Sequence, residues 1–438
     1  MKIYIESLGC AKNQVDSEVL LSYAIEEGYE RTEDVTEADL IVVNTCGFIQ
    51  SAKEESVNTF FELHEQNPEA RIIMAGCLAQ RYGGVMELDE ASAIFGNHDL
   101  SQFKEILRGK EGVSVPDYPD PDRERDDRVE LLGFKGSAYL KIGEGCNHRC
   151  SFCAIPGIRG PLRSRPMEKV LEEAGRLIAR GVYEIIVIAQ DVASYGKDLY
   201  GKSRFVELMD RLSALPGSHV LRMLYIHPDT FPDGLVELVK ERKNILPYFD
   251  IPFQHGDRAI LRKMGRTGDR ESYTALVRKI RDEIPEAVIR TTLMLGFPGE
   301  THESVEEMRR FITEAQFDWM GSFTYSREED TPAYSMASDE WFKKAGKAAL
   351  KAQKSIEKLQ QPITEERLKR FVGHTYTAVI EEKIEGEELA IGRIYSQAPD
   401  VDGLTVIMGR GMEEGDVVKV GITKVRGLDL EGVRIDRP

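Results

Sequence analysis

The sequence predicts an α/β protein in three parts: an N-terminal parallel α/β domain, a central partial (βα)6 barrel and a small antiparallel β-barrel at the C-terminus. Three observations carry this. Short apolar runs alternate with helical patterns through the first hundred or so residues; six strand candidates then recur at βα spacing; and after Gly373 the pattern changes to short β-type runs punctuated by glycine. With 438 residues the chain has room for two to four domains and buries a large core without staples.

In the first part, Ile3-Tyr4-Ile5, Leu40-Ile41-Val42-Val43 and Ile72-Ile73-Met74 are apolar runs of strand length. Each is followed within a few residues by a cysteine: Cys10, Cys46 and Cys77. Helical patterns lie between them, and Ser51 with Glu54 three residues on reads as a capping box. Strands alternating with helices form parallel sheets, whose ligands sit beyond the carboxyl ends of the strands. The three cysteines are therefore expected to converge, either as ligands of an open metal cluster or as small buried apolar side chains. This domain spans 1–114, because Val115 to Glu130 holds three prolines and dense charge and reads as a linker, 115–131.

The second domain, 132–371, opens with the strand candidate Ala138 to Ile142. Five more follow: Glu184 to Ala189, Leu221 to Ile226, Tyr248 to Phe253, Val288 to Leu295 and Met320 to Tyr325. Six parallel strands make a partial barrel, and chemistry in such barrels sits on the loops that follow the strands. Those loops are polar or glycine-rich here: Gln190-Asp191, His227-Pro228, Gln254-His255-Gly256, Gly296-Phe297-Pro298-Gly299-Glu300 and Ser326-Arg327-Glu328. From Asp339 to about Arg370 the pattern is helical. In 372–438, Thr375 to Ile380, Leu404 to Met408 and Val417 to Ile422 suggest a barrel of about five strands. It carries no cysteine, so it is expected to be separable from the chemistry upstream.

Cys146, Cys150 and Cys153 stand as Cys-x-x-x-Cys-x-x-Cys just after the first strand of the central domain. Thiolates select zinc or iron-sulfur clusters, and a structural zinc site closes with four ligands. Three thiolates on one loop point instead to a cube of iron and sulfide with one iron left open for a small molecule. His148, between two of the cysteines, is expected to be exposed and not a ligand. His227 and His255, at strand ends, are either polar lining or structural hydrogen bonders. Arg159, Arg163 and Arg165 follow the loop and either hold a carboxylate or pack the loop through ion pairs. The six cysteines require no oxidising compartment in a chain of this size. The N-terminus shows no basic region followed by a long apolar stretch, and no apolar run approaches the ~20 residues of a membrane helix. A cytoplasmic location with no membrane partner is expected.

The loop Gly145-Cys146-Asn147-His148-Arg149-Cys150-Ser151-Phe152-Cys153 resembles the signature of radical S-adenosylmethionine enzymes. Leu8-Gly9-Cys10-Ala11-Lys12-Asn13, Thr45-Cys46-Gly47-Phe48-Ile49, Gln254-His255-Gly256 and Gln397-Ala398-Pro399-Asp400-Val401-Asp402-Gly403 extend the likeness over the whole chain. It is similar to the methylthiotransferases of that superfamily, and more to the branch that modifies a ribosomal protein than to the branch that modifies adenosine in tRNA. The resemblance implies an N-terminal methylthiotransferase domain, a radical barrel and a C-terminal TRAM domain, an OB-like barrel. It implies two 4Fe-4S clusters: one on Cys146, Cys150 and Cys153 that binds and cleaves S-adenosyl-L-methionine, and one on Cys10, Cys46 and Cys77 that holds sulfur for transfer. It implies Phe152 near the adenine, Gln190 and Asp191 at the methionine amino group, and Gly296 and Gly299 allowing close backbone approach beside the adenosine. The implied product is 3-methylthioaspartate in small-subunit ribosomal protein S-twelve, with separate sulfur and electron donors. A non-catalytic iron-sulfur carrier would explain the cysteines but not a cofactor-shaped barrel.

The formal net charge is -17, and between Phe371 and Pro438 thirteen Asp and Glu stand against eight Lys and Arg. Nucleic-acid binding leaves a basic footprint, so no specific nucleic acid is expected. Acidic residues such as Glu381, Glu382, Glu387 and Glu388 suit a basic ribosomal protein, free or within the small subunit, by long-range steering, or serve solubility alone.

Overall fold

A computed structural model describes residues 1–118 and 127–435. The middle of the linker expected at 115–131 thus lies outside the described residues. Its end is anchored: Arg128 is buried, its guanidinium pairing with Glu18 of the N-terminal domain and, at 2.6 Å, with Glu173 of the central domain.

The N-terminal sheet is parallel throughout, in the order β2-β1-β3-β4-β5-β6. Its strands are β1 (Lys2–Ser7), β2 (Glu30–Arg31), β3 (Leu40–Thr45), β4 (Arg71–Gly76), β5 (Ala93–Phe95) and β6 (Gly112–Ser114). The central strand β3 is buried along its whole length, as a strand covered on both faces must be. The capping box at Ser51 does not form. The helix Gln50–Gln66 begins two residues earlier, with Ile49 at the cap and no side-chain hydrogen bond there. The backbone N–H of Gln50 donates instead to the Ser326 hydroxyl of the central domain (3.1 Å), so a tertiary contact does the capping.

In the central domain, β7 (Ser137–Lys141) is followed by a short antiparallel pair, β8 (Gly143–Glu144) and β9 (Arg163–Ser164), that closes the base of the cysteine loop. The sheet then continues through β10 (Glu184–Ile188), β11 (Val220–Met223), β12 (Ile245–Asp250), β13 (Val288–Leu295) and β14 (Trp319–Thr324). The order β14-β13-β12-β11-β10-β7 is parallel at every step, which is the expected partial barrel. Strand alternation sends Ile185, Val187, Leu221, Met223 and Phe249 into the core beneath the helices. Tyr139, Ile186, Tyr248 and Trp319 point the other way.

That second face is filled by the C-terminal domain. Its strands β15 (Thr375–Lys383), β16 (Leu389–Ile394), β17 (Thr405–Met408), β18 (Val417–Arg426) and β19 (Asp429–Arg434) close in the order β15-β16-β17-β19-β18, antiparallel except for the parallel pair β17 and β19. Their core, with Ala378, Ile380, Ile407 and Val420, is continuous with Tyr139, Ile186, Tyr248 and Trp319. The Trp319 indole donates to the Ser396 carbonyl (2.6 Å), and Arg393 joins Glu184 (2.8 Å) to Glu381. The expectation of a separable module is therefore corrected: the sheet face it covers is apolar, and the domain shares that cover with Val15 of the N-terminal helix and with Leu368 and Phe371. Glu381 is not a surface acid, whereas Glu382, Glu387 and Glu388 are exposed. Among the described residues no helix is long and apolar enough to cross a membrane.

Candidate active site

Adjacent strands β1, β3 and β4 deliver the first three cysteines to one end of one sheet. Cys10 caps the helix Ala11–Glu26, Cys46 follows β3, and Cys77 opens the helix Cys77–Tyr82 directly after β4. Gly9, at φ +92°, lets the first turn lie against the second: a Cβ on it would stand 2.8 Å from Cys46 Cβ. Asn13 ties the group together. Its Nδ2 donates to the carbonyls of Leu8 (2.8 Å) and Thr45 (2.9 Å), and its Oδ1 lies 3.4 Å from Cys77 Sγ. Sequence reading passed over Asn13, although an amide side chain three residues past a helix-capping cysteine is well placed to reach back to the preceding turn. Burial pushes the Cys46 thiol up to about 12, and pushes Cys77 up against the opposing pull of Arg159.

The second triad lies on the loop after β8. The Cys146 amide donates to the Gly160 carbonyl (3.1 Å), the Cys153 amide to the Cys150 carbonyl (3.1 Å), and the Ser151 amide across the barrel to the Met264 carbonyl (3.0 Å). Burial pushes the Cys146 thiol up to about 11 and Cys153 up to about 12. Thiols so placed keep their protons until a metal replaces them. All six cysteines are free, and among the described residues no three of His, Cys, Asp and Glu close around a single metal ion. Two sets of three free thiols, one on the N-terminal sheet and one on the barrel loop, are donors of the type that holds iron-sulfur clusters. The barrel triad borders a cleft of about 740 Å³ whose opposite wall includes Gln80 and Arg81 of the N-terminal domain.

Two orphaned groups test the fit of a cofactor with an amino-acid end. Arg266 is buried, its Nε and Nη1 have no hydrogen-bond partner, and its charge acts on both Cys146 and Cys153. A buried guanidinium without an anion is costly, and a carboxylate would supply the missing acceptor and charge. Gln190 donates to Glu144 through Nε2, while its Oε1 is buried without a partner, an acceptor suited to an ammonium group. Gln190 was in the sequence prediction. Arg266 was not, because it sits beyond a helix rather than at a strand end.

The other predicted residues have engaged side chains. Asp191 accepts from the Ala193 amide (3.0 Å), the His227 amide (3.2 Å), the Ser194 hydroxyl (2.5 Å) and His148 Nε2 (2.7 Å). His148 is thus packed rather than free, and its ring stacks on His227 at 4.0 Å. Burial, with Arg266 beside it, lowers the His227 pKa to about 3 and keeps that ring neutral. His255 is fully buried, with Nδ1 accepting from the Asp257 amide (2.8 Å). Phe152 packs into the barrel core. The close approach at Gly296 is to Ala349, 2.6 Å from an added Cβ, and at Gly299 to the Lys263 ammonium, 2.0 Å. Arg159 is buried between Asp16 (2.7 Å) and Glu144 (2.9 Å), Arg165 pairs with Glu173 (2.5 Å), and Arg163 donates to the carbonyls of Arg159 and Pro161. Ion pairing that packs the loop is what the structure records for Arg159 and Arg165.

Comparison with known proteins agrees with this architecture. Residues 140–312 match the Radical SAM superfamily, 2–96 an uncharacterized protein family (UPF0004), and 372–435 the TRAM domain. The chain is 41% identical to the ribosomal protein uS12 methylthiotransferase RimO of Lachnoclostridium phytofermentans, covering 99% of each chain, and 40% identical to that of Treponema denticola, covering 98% and 99%. Among solved structures it resembles the radical S-adenosylmethionine methyltransferase TsrM from Kitasatospora setae (TM-score 0.54, 16% identity, 76% of each chain). It also resembles the cobalamin-dependent radical enzyme OxsB (TM-score 0.51, 12% identity, 78% of this chain and 56% of that one), a likeness of fold. With end-to-end identity of this order to its relatives, on a barrel whose open thiol loop faces orphaned polar groups, the chain belongs to the RimO family of radical S-adenosylmethionine methylthiotransferases.

Proposed function

We propose that this protein replaces a hydrogen on the β-carbon of an aspartate in ribosomal protein uS12 by a methylthio group, using two 4Fe-4S clusters. The relatives matched along the whole chain are named ribosomal protein uS12 methylthiotransferases, and two thiol triads on facing domains suit a reaction with separate radical and sulfur centres. In this reading Cys146, Cys150 and Cys153 hold the barrel cluster, Arg266 takes the carboxylate of S-adenosylmethionine and the Gln190 Oε1 its ammonium. Cys10, Cys46 and Cys77 hold the second cluster. Together these groups supply one-electron cleavage of the cofactor and transfer of sulfur.

The chain's own part is to position and to seal. Cys77 packs with Ala154 and Ile158, so apolar surface lies between the triads and limits water there. Asp191 braces His148 and His227 around the loop, and Phe152, Gly296 and Gly299 act through packing. We take the functional units as 1–114, 132–371 and 372–438, the protein as cytoplasmic, and the acidic C-terminal barrel as the face that meets basic uS12, with sulfur and electrons drawn from separate donors. A strain lacking the gene should lose one methylthio increment from uS12 by mass spectrometry and keep methylthioadenosine in its tRNA. The opposite pattern would transfer the assignment to tRNA.

A further inference from the structure

Lys12 is buried to 7% exposure on the helix that Cys10 caps, and among the described residues its ammonium has neither a carboxylate nor a hydrogen-bond acceptor. The ammonium lies over the face of Tyr225, 3.6 Å from the ring centroid. Tyr225 stands just past β11, at the catalytic end of the barrel, with φ +66°, a conformation costly for an aromatic residue. Its amide donates to Asp250 (2.9 Å) and its carbonyl accepts from Val192 (3.2 Å), so the ring is held in place under the ammonium.

The acids nearby are spent. Asp16 is shared by Lys141 and Arg159, and Glu144 by Lys141, Arg159 and Gln190. A cation–π contact does not replace the water an ammonium loses on burial. The cation stands beside one thiol triad, on the barrel's reactive face, and lacks an anion.

We propose that Lys12 binds the side-chain carboxylate of the substrate aspartate. This rests on the reading of an aspartyl substrate above and names the residue that selects it. The carboxylate carbon is bonded to the β-carbon, so fixing one fixes the other, and a neutral side chain would leave Lys12 unpaired. The rival role is local, a counter-charge for the thiolates of Cys10 and its partners.

The test uses the cluster-loaded protein and a fluorescent uS12 peptide bearing either the target aspartate or asparagine, read by anisotropy. Wild type should bind the aspartate peptide about 10- to 100-fold more tightly, the worth of one charge-assisted hydrogen bond. Lys12→Met should erase that preference by weakening the aspartate peptide alone, with iron content unchanged, and Lys12→Arg should restore part of it. Equal weakening of both peptides, loss of iron in Lys12→Met, or no change would overturn the proposal. If Lys12→Met binds and modifies uS12 as wild type does, only this inference falls; if uS12 is never modified in cells, the substrate reading falls and takes it along.

Discussion

The guanidinium of Arg159, on the helix that follows the barrel's cysteine loop, lies 3.2 Å from the Sγ of Cys77 in the N-terminal domain. The same side chain pairs with Asp16 of that domain and Glu144 of its own, so one residue ties the N-terminal triad to the barrel domain. Hydrogen bonds to a cluster's sulfurs raise its potential. Arg159→Gln should therefore make the potential of the N-terminal cluster more negative while leaving that of the barrel cluster in place. It should also lower stability by about 3–5 kcal/mol, because Asp16 and Glu144 would then share only Lys141. Redox titration followed by electron paramagnetic resonance would show the first effect and thermal denaturation the second. Equal shifts of both potentials would remove the directional claim.

Replacing Cys146, Cys150 and Cys153 together by alanine should halve the iron and sulfide of the reconstituted protein and abolish formation of 5′-deoxyadenosine. The triple replacement of Cys10, Cys46 and Cys77 should also halve the iron but spare cofactor cleavage. Retention of all the iron in either variant would mean that its triad holds no cluster.

Arg266 offers a test in binding. Arg266→Leu should keep the barrel cluster, which it does not ligate, and weaken S-adenosylmethionine by about 10- to 100-fold in equilibrium dialysis, since a buried carboxylate would lose its charged partner. Arg266→Lys should recover part of the loss. Unaltered affinity in the leucine variant would assign the orphaned guanidinium to some other anion.

Two carboxylates at the seam between the central sheet and the C-terminal barrel titrate with opposite signs. Burial alone would raise Glu184, yet Arg393 and Arg222 outweigh it and hold the carboxyl down at about 2 against an ordinary 4.5. Its contribution is therefore present above pH 4.5 and is lost as pH falls through 2. Burial raises Asp402 to about 6 from 3.8 despite Arg290, so its contribution is present below pH 3.8 and is lost as pH rises through 6. Glu184→Gln should cost about 3–5 kcal/mol at pH 7 and progressively less below pH 4. Asp402→Asn should flatten the part of the stability curve between pH 4 and 7. Melting temperatures against pH for the two variants would expose any error in either sign.

The sequence made legible whatever depends on local pattern. Barrel strands announced themselves through runs such as Ile185-Ile186-Val187-Ile188, buried on both faces and ended by a polar loop, while Trp319–Thr324, half-buried over most of its length, was legible mainly from its βα spacing. The three cysteines of the N-terminal sheet were legible through their place after β1, β3 and β4. Short strands without an apolar run, such as Glu30–Arg31, were not. Nor was the helix start at Gln50, which depends on Ser326 far along the chain. Arg266 and Lys12 were missed for a related reason: what distinguishes them is the absence of a partner, which only the tertiary fold discloses. The same holds for the apolar residues Ile186 and Tyr248, whose period-two pattern shows that a face is covered but not that a third domain covers it.

Truncation at Gly373 would bare Tyr139, Ile186, Tyr248 and Trp319 and strip Glu184 of Arg393, so the shortened protein should melt at lower temperature, aggregate and retain iron poorly. Surface charge can be tested without that damage. Glu382 near the end of β15 and Glu385 and Glu387 on the turn to β16 are exposed, and their combined replacement by lysine should leave melting temperature and cofactor cleavage as in wild type. If uS12 is steered by the acidic barrel, the triple variant should associate with it about tenfold more slowly at low salt. The difference should fade toward physiological ionic strength, where the screening length is ~8 Å. Stopped-flow association at two salt concentrations would decide it, and a rate indifferent to both salt and charge reversal would leave the acidity of this barrel to solubility alone.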